Sequence, residues 1–197
     1  MKAKYVFFDF ETDGIGRVPM QRAIQLAWIV TDEGFKTIKE KSYYVTNDPK
    51  RIKICTKFHG EEVCKQMTSN CYEMSGVLTE FLNDVFMAYK NDGRLVAHNI
   101  EFDLTILCRE CEACGINLVK SKIDKLCECT MKKSWFIKKK NLRLEDLHKT
   151  LHGGGEIDLK GGRLHEALTD TRVLLACYKK LHEGHDMLAT ARKLISD

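Results

Sequence analysis

The sequence predicts an α/β fold on a mixed sheet. Two observations carry that expectation: apolar runs rich in β formers come first, and helically periodic segments later alternate with a further strand; only two prolines interrupt the 197 residues, which favours one domain. With 44% hydrophobic and 30% charged residues, the composition is that of one folded domain spanning 1–197. No apolar stretch is long enough to cross a bilayer and the N-terminus carries no signal region, so no membrane partner and no secretion are expected. Nine cysteines, an odd number, read as reduced thiols of an intracellular, cytoplasmic protein. A net charge of +4 is a weak pointer to an anionic partner. There is no internal repeat and no low-complexity run.

The elements follow in order. Residues 4–9 form an apolar, β-rich run suited to a strand buried on both faces, and Asp13, Gly14 and Gly16 supply turn chemistry after it. Residues 23–31 and 35–45 read as two more strands around a turn at 32–34. Residues 47–72 have no clear periodicity and read as irregular. Val77, Leu78, Phe81, Leu82, Val85 and Phe86 then mark one stripe of an amphipathic helix. A short strand at 94–97 precedes a helix that ends at Gly115, and further helices fit 143–151, 167–181 and 186–195.

Three short patterns carry chemistry. Asp9 and Glu11 stand two apart on a strand and so share a face; neighbouring anions repel, and a fold that keeps them together usually holds a cation between them. Asp103 falls on the first helical turn after the 94–97 strand, a junction where α/β proteins place ligands, with His98 and Asn99 just before it. Asp170 falls near the start of a later helix, and His165 precedes it beside a glycine-rich approach. Those glycines lack the Lys-Ser/Thr ending of a phosphate loop. Each pattern alone has a plainer structural explanation.

Together they resemble the DEDDh, or DnaQ-like, family of 3′–5′ exonucleases in the ribonuclease H-like superfamily. Phe-Asp-Phe-Glu-Thr-Asp-Gly at 8–14, Ala-His-Asn-Ile-Glu-Phe-Asp at 97–103 and His-Glu-Ala-Leu-Thr-Asp at 165–170 match its three motifs in order. The sister DEDDy group would carry Tyr where Glu166 stands, four residues before the last Asp, so His165 marks the DEDDh branch. The resemblance implies a ribonuclease H-like fold with a mixed five-stranded sheet flanked by helices. It implies a metal-dependent exonuclease that removes nucleoside 5′-monophosphates from single-stranded 3′ ends, with DNA the favoured polymer. The alternatives are an RNA-directed exoribonuclease and a nucleic-acid-binding or proofreading subunit. A polymerase complex or a homodimer is compatible with it.

Two Mg²⁺ or Mn²⁺ ions suit an all-carboxylate site, one activating water and the other holding the leaving oxygen. By resemblance, Asp9 bridges both ions, Glu11 and Asp170 complete the first, and Asp103 holds the second. His165 takes the proton from the attacking water, a task that fits an imidazole titrating near neutrality. By position, Thr12 bonds the terminal sugar, Ile15 wedges against its base, and His98 and Asn99 position the sugar-phosphate.

Outside these motifs, residues 120–143 carry nine Lys or Arg against Asp124 and Glu128, with Trp135 and Phe136 among them. Cations that screen phosphates beside rings that stack on bases suggest a single-strand guide, with Trp135, Lys138 and Lys139 as candidate contacts. Cys108, Cys111 and Cys114 invite a zinc reading. Across a helix, however, the outer two are about 9 Å apart, and all three lie on the apolar stripe, which favours a core role. His59-Gly60 is similar to a family element but is followed by Glu61 and Glu62, so no substrate role is assigned to it.

Overall fold

The computed structural model describes residues 1–14, 21–45, 49–154 and 165–196. Strands β1 (Tyr5–Thr12), β2 (Ala23–Thr31) and β3 (Thr37–Tyr44) form an antiparallel meander. Strands β4 (Arg94–Ala97) and β5 (Cys127–Cys129) add in parallel beyond β1, giving the order β3-β2-β1-β4-β5. The helices are α1 (Pro49–Ser69), α2 (Met74–Tyr89), α3 (Ile100–Ala113), α4 (Lys120–Ile123), α5 (Thr130–Lys133), α6 (Trp135–Lys138), α7 (Leu144–Leu151) and α8 (Ala167–Ser196). The fold is therefore the mixed five-stranded α/β sheet flanked by helices that the sequence implied. No described helix is long and apolar enough to cross a membrane.

Alternation along β1 decides what each face of the sheet carries. Val6, Phe8 and Phe10 point into the larger core with Trp28, Leu78, Phe81 and Leu104, under α2 and α3. Tyr5 and Phe7 point the other way, against Leu174 and Tyr178 of α8. The same alternation places Asp9 and Glu11 on the α8 face, at the end of the row that Tyr5 and Phe7 begin.

Three elements depart from the sequence expectation. Residues 49–69 are helical, not irregular: Cys55, Val63, Cys64 and Met67 pack with Ile24, and Gly60 breaks the helix at φ 81°. The break shifts the apolar phase half-way along, which hides the periodicity, and glycine tolerates that backbone at little cost. Strand β5 consists of three residues and is defined by its pairing with Leu95–Ala97, too short to leave a pattern. Helix α8 runs unbroken through Gly184, where the sequence suggested two helices; an interior glycine costs a helix only about 1 kcal/mol.

Candidate active site

β1 outruns its parallel neighbour. It pairs with β4 only over Tyr5–Phe7, while its pairing with β2 continues to Thr12. Past Phe7 one edge of β1 therefore has backbone groups that need other partners. Phe10 donates its N–H to Asp103 Oδ1 at 3.1 Å, from the first turn of α3. This bond draws a carboxylate that is only 1% exposed to the strand between Asp9 and Glu11.

Asp170 arrives from the other face, on the first turn of α8. The start of α8 is tied to the sheet by Gln25, the register partner of Glu11. Gln25 is 3% exposed; its Oε1 accepts the Ala167 N–H at 3.2 Å, and its Nε2 donates to Ser42 Oγ at 3.0 Å. One buried amide thus fixes the helix that carries Asp170 against the strand that faces Glu11. The outcome is a tight group: one oxygen from each of Asp9, Glu11 and Asp170 lies within 4.8 Å of the others, and all three side chains are half-buried.

Electrostatics marks the same group. Burial raises Asp9 well above the usual carboxylate range, and the charges of Asp103, Glu11 and Asp170 raise it further. Burial also raises Asp103, with Glu11 adding to the rise and the N–H groups of Phe10 and Asp103 itself pulling it down. Burial lifts Asp170 to about 6, against the pull of the His165 imidazole and backbone N–H, while Glu145 and Glu166 add to the rise. Oxygen-only donors that repel one another at close range suit a hard divalent cation, which would relieve the repulsion.

A family model of exonucleases, that of ribonuclease T, matches residues 6–178. The chain belongs to this exonuclease family. It is a 3′–5′ exonuclease of the DEDDh, ribonuclease H-like type, a phosphodiester hydrolase from a family that depends on divalent metal. No curated protein sequence is significantly similar to it. Among solved structures, S. pombe Pop2p in its Mg²⁺- and Mn²⁺-bound form aligns at TM-score 0.64 and 12% identity, over 91% of this chain and 82% of that one. The zinc-bound complex of E. coli exonuclease I with single-stranded DNA aligns at 0.65 and 16%, over 91% and 40%. Its complex with a dT13 oligonucleotide aligns at 0.64 and 16%, over 99% and 46%. The chain therefore spans less than half the length of exonuclease I.

In this exonuclease, His165 stands just before α8 with a left-handed backbone (φ 61°) and a side chain 79% exposed, its Nε2 3.8 Å from Glu145 Oε1. Asn99 also takes the left-handed conformation (φ 62°); it is exposed, and its side chain does not cap α3. His98 is placed differently. Burial lowers its pKa, against the opposing pull of its bond to the Leu142 carbonyl. Nε2–H donates to the Leu142 carbonyl at 2.9 Å, and Nδ1 lies in hydrogen-bond contact with the Thr130 hydroxyl at 2.8 Å. Both ring nitrogens are thus engaged by the protein.

Thr12 is buried, and its hydroxyl donates to Gln21 Oε1 at 3.1 Å. Its carbonyl accepts the His59 Nε2–H at 2.9 Å, which brings the His59-Gly60 element to the first motif after all. Ile15 lies outside the described residues. Trp135, Lys138 and Lys139 are exposed on or just after α6, and Lys139 ends that helix with φ 52°. Gln25 escaped the sequence reading, although its signal was present: a lone amide in a nine-residue strand whose every position is buried. The cysteines form no cluster with metal-ligand spacing among the described residues; Cys111 is fully buried in the main core, and burial pushes its thiol up to about 12.

Proposed function

We propose that the chain releases nucleoside 5′-monophosphates one at a time from the 3′ end of a single strand, DNA in preference to RNA, with two Mg²⁺ or Mn²⁺ ions and His165 as general base. The observation that carries this reading is the meeting of Asp9, Glu11 and Asp170 from β1 and α8, with Asp103 bonded to the strand between the first two. The metal-bound state of Pop2p and the single-stranded DNA held by E. coli exonuclease I support it.

Asp9, Glu11 and Asp170 would hold one ion, and Asp9 with Asp103 the second. Such ions supply Lewis acidity and an activated water at neutral pH. His165 sits on an exposed turn whose backbone N–H bonds Asp170, with its imidazole 3.8 Å from Glu145, and it would take the proton from the attacking water. Asn99, with its amide uncommitted to the helix, holds the sugar-phosphate, while His98 positions it from behind. Nine cysteines, none in a disulfide among the described residues, suit a reducing, intracellular setting.

The test is a time course on 5′-labelled single-stranded DNA and RNA with Mn²⁺ or EDTA. A ladder shortening by one nucleotide from the 3′ end is expected, faster on DNA. It should vanish with EDTA and fall at least about 10³-fold in Asp9→Ala, since metal-borne charge stabilisation is worth several kcal/mol. A well-folded wild type that degrades neither polymer would instead make the chain an accessory subunit.

A further inference from the structure

We propose that the segment from Thr130 to Leu142 is a landing surface for the body of the single strand behind its 3′ end, with Trp135 and Phe136 stacking on unpaired bases and Lys138, Lys139 and Lys140 neutralising phosphates. The inference rests on the nuclease reading and extends it from a terminal nucleotide to a polymer.

Three observations support it. First, the segment is tied to the site at both ends by one side chain. His98 bonds Thr130 through Nδ1 and Leu142 through Nε2, and it directly precedes Asn99 and the helix that carries Asp103. Second, the fold buries the wrong residues for a purely structural segment. Ile137 packs against the core cluster that contains Leu142 and Leu147, and Ser134 is buried, while the larger Trp135 and Phe136 are left 51% and 56% exposed. A four-residue helix can bury only one face, and here the aromatic face meets solvent.

Third, the cations divide. Lys132 is paired with Glu101 at 3.0 Å and Lys133 with Glu128 at 2.8 Å. Lys138, Lys139 and Lys140 make no ion pair among the described residues and are exposed. Lys138 and Lys140 line an open groove with Lys149, in which Asp146 is the acidic residue. Unpaired cations beside open aromatic faces complement a polyanion with unstacked bases, and ring stacking is indifferent to base identity. A second exposed aromatic patch, Phe86 and Tyr89 on α2, offers the contrast: Lys90 already sits over the Phe86 ring at 4.5 Å.

The test measures binding of a labelled 15-mer, as DNA and as RNA, by anisotropy in EDTA, alongside steady-state hydrolysis of the 15-mer and of a dinucleotide with Mn²⁺. Trp135→Ala with Phe136→Ala should weaken 15-mer binding roughly tenfold or more and raise its KM in step, with a smaller penalty on the dinucleotide. Trp135→Phe should restore binding, and Phe86→Ala with Tyr89→Ala should leave it at the wild-type level. Replacing Lys138, Lys139 and Lys140 by Ala should flatten the slope of log affinity against log salt by about 2. Equal binding by the aromatic variant and wild type would overturn the proposal even if the enzyme cuts normally. Weakened binding in the variant would uphold it even if the wild type proved unable to cut.

Discussion

At the acidic end of β1, four carboxylates come from three separate stretches of chain. Each depends on contacts made far away in sequence: Asp103 on Phe10 N–H, Asp170 on the α8 start that Gln25 holds. The basic segment between Thr130 and Leu142 is assembled from consecutive residues and pinned at its two ends by His98. The first region keeps like charges together against burial and repulsion. The second keeps its free charges in water, where they cost little. The difference follows from what each has to do. Holding a cation needs oxygens placed to within fractions of an ångström, so the whole sheet is recruited; guiding a flexible polyanion needs only charge and open rings, which a short stretch of chain can provide alone.

Substitutions at the two ends of this contrast should behave differently. The largest effect after loss of a carboxylate is expected for His165→Ala: kcat should fall about 10²–10⁴-fold, while Mn²⁺ binding and oligonucleotide affinity stay near wild type. Cutting at the wild-type rate would remove His165 from the proton transfer. A smaller loss is expected for Gln25→Leu, which touches no substrate. It should weaken Mn²⁺ binding or activity by about 10–100-fold through displacement of Asp170, as loss of a supporting hydrogen bond does at metal sites. Binding of a 15-mer in EDTA should be unaffected, so a variant that lost both properties equally would point to misfolding.

What was legible in the sequence tracks this same division. Asp9 and Glu11 stood out because charges are rare inside an apolar run, and Asp103 and Asp170 because each opens a helix with a motif around it. The basic segment was visible as composition. Gln25 was not, since its role is a bond to Ala167 N–H, 142 residues away, that no local pattern encodes. The motif around His98 suggests a substrate contact, while its two hydrogen bonds, to residues 32 and 44 positions on, have no local signature. Helix α1 was hidden by the break at Gly60 and by cysteines serving as small hydrophobes at Cys55 and Cys64.

The central claim, that the carboxylates are gathered for a cation and resist being gathered without one, has a direct measurement: thermal melting of wild type and Asp170→Asn from pH 4 to 8, in EDTA and in Mn²⁺. Asp170 rises from 3.8 to about 6 on folding, so the folded chain holds this proton more tightly than the unfolded one. Its contribution is therefore most favourable below about pH 4 and is lost as pH rises through about 6. In EDTA, Asp170→Asn should melt above wild type, with a gap that widens across that window to an order of 2 kcal/mol once partial exposure is allowed for. Mn²⁺ should raise the wild-type midpoint by several degrees and the variant's by less, reversing the order. Equal midpoints in EDTA at every pH, together with no Mn²⁺ shift in the wild type, would contradict the account.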